Sequence, residues 1–516
     1  MTTIRQPRTN VAIVPSSEAV QNTGQKILVV GQMLTGTATA GDLVQNIANG
    51  GAENALFGAK SMLATLVRAN KVRNQQVQVD AIPLADAGSG VAATGAIVVS
   101  GTATEAGTLT VIAGSQRNHK YSIAVASGDT ATVIGAAIAS AINADTKAPV
   151  TGVNSTGTVA VTAATKGTYG NSIPLGITGT IAGVSPSITG MASGAVDPTL
   201  TGIFDVIGDN RYQAIVWPYP DDTAAVRSLL DPRFNADGVV LDGVAFTAKN
   251  DVLSNLTTQV SALNSQSLVF IGGKQEIESA YKGGDVAEIP MVKAAIFAGY
   301  RGLRLDSDGF NISDLVIAAN GPLDAFGGPA LASKPYFNTG FADLYPIAVG
   351  RGFDDASVEQ LHDSGVTVLG NNSANNAVII GEVVTTYKND VAGNPDITFK
   401  YLNYVDTASQ CREYRYNNYR KRYAQSRLTE GDLLKGRDMA NAESIRSYSK
   451  RLYQDLSGND FVLLEAGEDA LNFFDANLIV SIDKATGKAT ITQTDLIVTQ
   501  LRTIQVTTKI AFSTSS

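Results

Sequence analysis

The sequence predicts a multidomain protein of mixed α/β and α+β class. A layered α/β core is interrupted by a β-sandwich-like insertion and followed by an α+β C-terminal domain, with an extended arm at each end. Three observations predict this. Apolar strands alternate with amphipathic helices on both sides of residues 86–197, the pattern of a layered α/β domain. Within 86–197 the composition turns abruptly to Gly, Ala, Thr, Ser and Val in short alternating runs. Finally, "LRTIQVTTKIAF" (501–512) places Ile504, Val506, Thr508, Ile510 and Phe512 on one face with period two, and only "STSS" follows it. A patterned strand without a visible partner invites pairing with another chain.

Residues 1–25 are polar, carry Pro7 and Pro15, and hold a short apolar patch at Val11, Ile13 and Val14, which suits an extended arm. The core, 26–85 and 198–350, opens with the buried strand "KILVVGQM" (26–33). A helix over "ENALFGAKSMLATLVRAN" follows, with Leu56, Ala59, Leu63 and Leu66 on one face, then the strand "VQVDAIPL" (77–84). The insertion, 86–197, reads as short strands with Gly-containing turns and one helix at 130–145.

After it, strand "YQAIVWPY" (212–219), helix "DDTAAVRSLLDPRFN", strand "GVVLDGVAFTA", helix "KNDVLSNLTTQVSALN" and strand "SLVFIGG" restore the α/β alternation. Residues 319–350 are dense in Gly and Pro and read as a long irregular loop. The C-terminal domain, 351–498, is expected to hold a strand pair at 377–389 and 396–406. A helix at "NAESIRSYSKRLYQDL", with Ile445, Tyr448, Leu452 and Leu456 on one face, and a hairpin at "NLIVSIDKATGKATITQ" complete it. Residues 499–516 are the second arm.

A chain of 516 residues can form several cores, and 44% hydrophobic with 17% charged residues is globular composition. A net charge of −8 argues against general nucleic-acid affinity, so any basic binding face is local. The single cysteine, Cys411, excludes an internal disulfide. The N-terminus lacks the apolar segment of a signal peptide, and no run approaches the about 20 apolar residues that span a bilayer. A soluble protein made in a cytoplasm is expected.

Chemistry has few candidates. The two histidines, His119 and His362, have no motif around them; His119 is expected to face solvent and His362 to sit on a helix. Zinc spacings, a G-x-S-x-G elbow and a phosphate-loop order are absent, and "GGPALASK" (327–334) lacks the required order. The pairs Asp221–Asp222 and Asp354–Asp355 read as helix caps. No catalytic residue, cofactor or metal ligand is assigned.

One segment stands out. In "CREYRYNNYRKRYAQSRL" (411–428), Arg412, Arg415, Arg420, Lys421, Arg422 and Arg427 oppose only Glu413, with Tyr414, Tyr416, Tyr419 and Tyr423 interleaved. Three readings stay open: a solvated helix with tyrosines packed inward, a basic protein-docking face, and a single-stranded nucleic-acid surface. A surface adhesin or array protein is a further alternative, suggested by the Thr/Gly-rich insertion, but it requires export.

The order of parts resembles the tail sheath proteins of contractile-tailed bacteriophages, in particular the Mu-like branch. The likeness is carried by "GTATEAGTLTVIAG", "WPYPDDTAAVRSL", "DGVAFTA", "GVTVLG", "VVTTYKND" and "IVTQLRTIQVTTKIAF", with Thr385, Thr386 and Tyr387 the most specific. It covers most of the chain and is weak over 319–350. The resemblance implies a non-enzymatic virion subunit, assembled in the host cytoplasm, that forms stacked hexameric rings around a tail tube. It further implies baseplate and tail-terminator partners, and contraction that drives the tube through the host envelope without nucleotide hydrolysis. On this reading both arms link subunits, the 412–427 segment is a candidate tube-facing surface, and the insertion faces outward.

Overall fold

The computed structural model describes residues 25–499 apart from 116–117, 235, 237–238, 276–287, 306–335, 337–339, 342–343, 345–351, 373–376, 435–437 and 459–462. The arm residues Val11, Ile13, Val14, Ile504, Val506, Thr508, Ile510 and Phe512, and most of the 319–350 loop, lie outside the described residues.

The chain enters the core through β1 (Lys26–Gln32). Ile27, Leu28, Val29 and Val30 are fully buried, as a strand covered on both faces of a parallel sheet requires. Two helices follow, α1 (Ala52–Phe57) and α2 (Met62–Arg73), where one was expected. The break has a local cause: Gly58 takes φ +80°, and Ser61 restarts the helix by accepting from the Ala64 amide at 3.0 Å. Strand β2 (Gln78–Leu84) then pairs with β1 in parallel.

The insertion contains β3 (Ala92–Gly101), β4 (Gly107–Ala113), β5 (Lys120–Val125), α3 (Ala131–Ala144), β6 (Val150–Ser155), β7 (Thr158–Lys166), β8 (Leu175–Thr178) and β9 (Val184–Ala192). They form sheets of order β6-β7-β3-β9 and β5-β4-β8, with α3 packed on strands of both. Ile134, Ile138 and Ile142 of α3 are buried in the same hydrophobic cluster as Ile97, Val111 and Val161. Asp86 holds the root of the module, accepting from Gln32 Nε2 at 2.6 Å and the Lys166 amide at 3.2 Å. His119, expected at the surface, is buried here: its Nδ1 accepts from the Ser115 amide at 3.1 Å, while Ser115 Oγ donates to Glu288 Oε2 of the core at 2.8 Å. The correction is tertiary, because docking of the insertion on the core covers the Ser115–His119 turn.

Back in the core run β10 (Ala214–Val216), α4 (Ala224–Phe234), β11 (Val244–Asp251), α5 (Leu253–Ser261), β12 (Leu268–Lys274), α6 (Pro290–Leu305), β13 (Gly340–Phe341), α7 (Asp355–Ser364), β14 (Val366–Asn372) and β15 (Ala377–Ile380). The central sheet has order β13-β15-β14-β12-β11-β10-β1-β2, parallel from β2 to β14 and antiparallel at the β13 edge. Asp354 caps α7 by accepting from the Ser357 amide at 2.8 Å. Asp222 accepts from the Ala224 amide at 3.2 Å, but Asp221 instead pairs with Lys249 at 2.7 Å.

Because β14 and β15 belong to this sheet, residues 366–380 complete the α/β layer; the segment from 351 does not begin a separate α+β body there. The expected pairing of 377–389 with 396–406 forms only in part: the Thr385 amide donates to Lys400 O at 2.7 Å and the Asp396 amide to Lys388 O at 2.8 Å. Residues 384 and 401 share one antiparallel bridge, and α8 (Leu402–Tyr423) starts immediately after it. Leu402, Asn403, Val405, Asp406 and Thr407 are all buried, a helical arrangement (402 with 405 and 406, 403 with 407) that overrides the alternation seen in the sequence. Thr385 and Thr386, fully buried, tie this corner together: Thr386 donates to Leu268 O through its amide and to Ser265 O through its hydroxyl, and Thr385 Oγ1 donates to Phe399 O.

The rest comprises β16 (Arg427–Leu428), β17 (Met439–Ala440), α9 (Ala442–Ser457), α10 (Glu468–Ala476), β18 (Ile479–Asp483) and β19 (Lys488–Thr492). The last two form the expected hairpin. Cys411, Tyr453, Leu456, Leu463, Leu464, Phe474 and Leu478 make a second core. Since Val405 belongs to the main core and Cys411 to the second, α8 spans both.

Candidate interaction face on the long C-terminal helix

The basic segment singled out in the sequence lies on the second half of α8 and the turn after it. The structure divides its cations into two sets. Arg412 pairs with Asp242 at 2.5 Å and also donates to the Phe234 carbonyl. Arg211 reaches the same carboxylate at 3.3 Å and Glu413 at 2.6 Å, and Ser409 Oγ donates to Asp242. Burial would raise the Asp242 pKa, but these two guanidiniums and the Ser409 hydroxyl outweigh it and hold the carboxyl below its ordinary value.

Arg415 is buried and grips Asp495 through both Nη atoms. Burial works against its charge, while the bonded Asp495 carboxylate wins and holds its pKa above the ordinary value. Arg412 and Arg415 therefore hold the fold together.

Arg420, Lys421, Arg422 and Arg427 are exposed. Arg420 Nη1 donates to Tyr416 Oη at 3.1 Å, and the Arg422 guanidinium lies 4.6 Å from the Tyr448 ring centroid. Three of the four tyrosines turn towards α9: Tyr414 Oη donates to Asp455 at 3.1 Å, Tyr423 Oη to Ser444 O at 3.3 Å, and Tyr419 Oη lies 2.7 Å from Ser449 Oγ. Tyr419, Tyr423 and Tyr448 also contact one another edge-on or stacked. Rings packed this way lend rigidity to a face whose free chemistry is cationic; they are poorly placed to receive bases.

Neither histidine gathers catalytic partners. Burial lowers the pKa of both His119 and His362. Burial also pushes the Cys411 thiol up to about 12, which leaves it unreactive. Among the described residues no group of His, Cys, Asp or Glu could hold a metal ion, and no helix is long and apolar enough to cross a membrane.

The sequence pointed to the segment by charge but missed Asp242 and Asp495, which neutralise Arg412 and Arg415, and Arg211, which joins the same cluster through Asp242 and Glu413. The |i−j| of 202 from Arg211 to Glu413 and 80 from Arg415 to Asp495 leaves no local signal.

The chain is 28% identical over 396 residues to the Mu-like prophage FluMu tail sheath protein of Haemophilus influenzae, covering 75% of this chain and 73% of that protein. No protein-family model matches the chain. Among solved structures, a sheath tail protein from Desulfitobacterium hafniense aligns over 95% of this chain and all of its own, at 9% identity and a TM-score of 0.43. The anti-feeding prophage baseplate structure contains a chain that aligns over 99% of this one and 100% of itself, at 11% identity and a TM-score of 0.46. That similarity to a Mu-like tail sheath protein agrees with the order of parts in the sequence.

Proposed function

We propose that this relative of Mu-like tail sheath proteins is the structural subunit of a contractile phage tail, polymerising as stacked hexameric rings in a helical sleeve around a tail tube. The single observation that carries the reading is the sequence relationship over three quarters of the chain. Contacts that repeat head to tail without closing generate open helical assemblies. On this reading the strand-patterned arms, 1–25 and 499–516, add to sheets of neighbouring copies through backbone hydrogen bonds.

An acceptor is at hand. The β18–β19 hairpin is largely exposed, and among the described residues each strand pairs only with the other, leaving two open edges. The exposed cations Arg420, Lys421, Arg422 and Arg427 face the tube, where an acidic surface complements them. Baseplate and tail-terminator proteins bound the sleeve, which assembles in the host cytoplasm and ends in the virion.

Contraction on this reading repacks body interfaces from one discrete arrangement to another while the arms stay joined. A gain of about 1–3 kcal/mol per subunit, summed over a tail, drives the tube through the host envelope without nucleotide hydrolysis. The extended sleeve is held by a kinetic barrier, because its product is more stable.

Negative-stain microscopy of the purified chain tests the proposal. Striated hollow tubes are expected, and a chain lacking residues 501–516 is expected to stay folded but fail to polymerise. Normal sleeves from that truncation would sink the arm reading. Salt-sensitive retention on single-stranded DNA without any tubes would favour the nucleic-acid alternative on 411–428.

A further inference from the structure

One stretch of α8 lines a crevice with the root of the N-terminal arm and holds the root of the C-terminal arm. On the N-terminal side, the Lys26 amide donates to Gln213 Oε1 at 2.7 Å, and the Gln213 amide donates back to Lys26 O at 3.0 Å. Gln25, immediately before, lines a crevice of about 240 Å³ together with Ser409, Gln410, Glu413, Tyr414 and Asn417 of α8. Those five residues recur at helical spacing and mark one side of the helix.

On the other side, Cys411 and Arg415 face the second core. There Arg415 forks onto Asp495, and Gln493, with its amide oxygen assigned towards the guanidinium, accepts from Nε at 3.0 Å and Nη1 at 2.8 Å. Just beyond, the chain is stitched to 463–465: the Glu465 amide donates to Leu496 O at 2.8 Å and the Val498 amide to Leu463 O at 3.2 Å.

We propose that Arg415 is the anchor of the C-terminal arm. Its fork onto Asp495 fixes 493–498, the last described stretch before the C-terminal arm, on the helix that also lines the crevice at the root of the N-terminal arm, so that α8 couples the two arms of one subunit. This rests on the reading of the arms as intersubunit links. Tension on either arm then acts on one rigid helix that spans both cores. A forked guanidinium resists that tension better than a single charge contact, because two parallel bonds fix direction as well as distance. Arg415 is a positioning residue in this scheme; it touches no partner itself.

The full-length chain carries the test, with hydrogen exchange and electron microscopy read together. Arg415→Lys keeps the charge but loses the fork, and Asp495→Asn keeps size at a side chain that is 23% exposed. Both variants are expected to speed exchange at the Glu465 and Val498 amides by about tenfold or more, leave the α9 amides unchanged, and shorten or abolish sleeves. Unchanged exchange at those two amides, or sleeves of normal length from both variants, overturns the anchor. Equal loss of protection across α9 assigns the pair to general folding and overturns it too. Normal sleeves from the chain lacking 501–516 overturn the arm reading itself, whatever the Arg415 variants do.

Discussion

Arg301 of α6 and Asp406 of α8 form an ion pair whose side chains are 3% and 0% exposed, with Nη2 to Oδ1 at 2.7 Å. The other carboxylate oxygen accepts from Tyr336 Oη at 2.5 Å, Arg301 also donates to the Gln213 carbonyl, and the Arg304 guanidinium lies 3.9 Å from the Tyr336 ring centroid. Burial alone would lower the Arg301 pKa, but the Asp406 carboxylate and the nearby Tyr336 hold it raised. Desolvating two charges is costly, so the pair specifies where α8 docks more than it adds stability. Breaking it is another matter, since that leaves one charge buried alone.

The first prediction follows from that asymmetry. Asp406→Ala should destabilise the subunit by about 3–5 kcal/mol, read as a lower urea midpoint. The double variant Arg301→Met, Asp406→Leu should recover most of the loss. If the single and double variants unfold at the same urea concentration, the ion pair does not act as described.

Helix α6 offers a second. A Cβ on Gly299 would meet the Asn70 carbonyl oxygen of α2 at 2.4 Å. Alanine gains up to about 1 kcal/mol in helix propensity, whereas overpacking typically costs about 1–3 kcal/mol, and a backbone carbonyl cannot swing aside. Gly299→Ala should therefore lower the melting temperature. Gly302→Ala should do less harm, because its nearest obstacle is the flexible end of the Ile27 side chain at 2.5 Å.

Acid should weaken the fold in a window set by the two histidines. Burial holds both pKa values below the ordinary 6.5. Between that value and each lowered one the unfolded chain binds more protons, so stability falls as pH drops through the window. The limiting slope is about 1.4 kcal/mol per pH unit for each histidine. Urea midpoints at pH 7.5 and 5.5 should differ in the wild type, and His119→Gln with His362→Gln should flatten the difference. Asp242, held low by its arginines, contributes only at more acid pH, below 3.8.

The exposed cations can be separated from the buried ones by function. Replacing Arg420, Lys421 and Arg422 together by alanine should change subunit stability by no more than about 0.5 kcal/mol per residue. Co-sedimentation with tail tubes should fall, and what remains should be less sensitive to salt than in the wild type. Full tube binding by the triple variant at low salt would remove these residues from the interface.

Much of this was legible from local pattern. The unbroken apolar run of β1, the Thr/Gly-rich strands of the insertion, α9 with its apolar stripe and the β18–β19 hairpin are all visible in the periodicity of the chain. An unbroken short apolar run, an alternation of two or a repeat of 3.6 residues is written in the order of amino acids. The cationic segment of α8 was visible for the same reason, as charge is a property of composition. The strand pair expected through 396–406 stops at residue 401, because alternation over a few residues does not distinguish a strand from the first turns of a buried helix.

What the sequence by itself determined, then, is the layered α/β core, the strand-rich insertion, the helix and hairpin near the end, the strand-patterned ends and the similarity to Mu-like tail sheath proteins. Only the tertiary structure decided which of the six cations are spent inside the fold and that His119 is buried. It also decided that residues 366–380 close the central sheet and that α8 joins two cores. Each of these turns on a contact between residues far apart in the chain, such as Arg301 with Asp406 at |i−j| of 105. Such a partner leaves no mark on its neighbours' periodicity, because the constraint is met in space after the chain has folded.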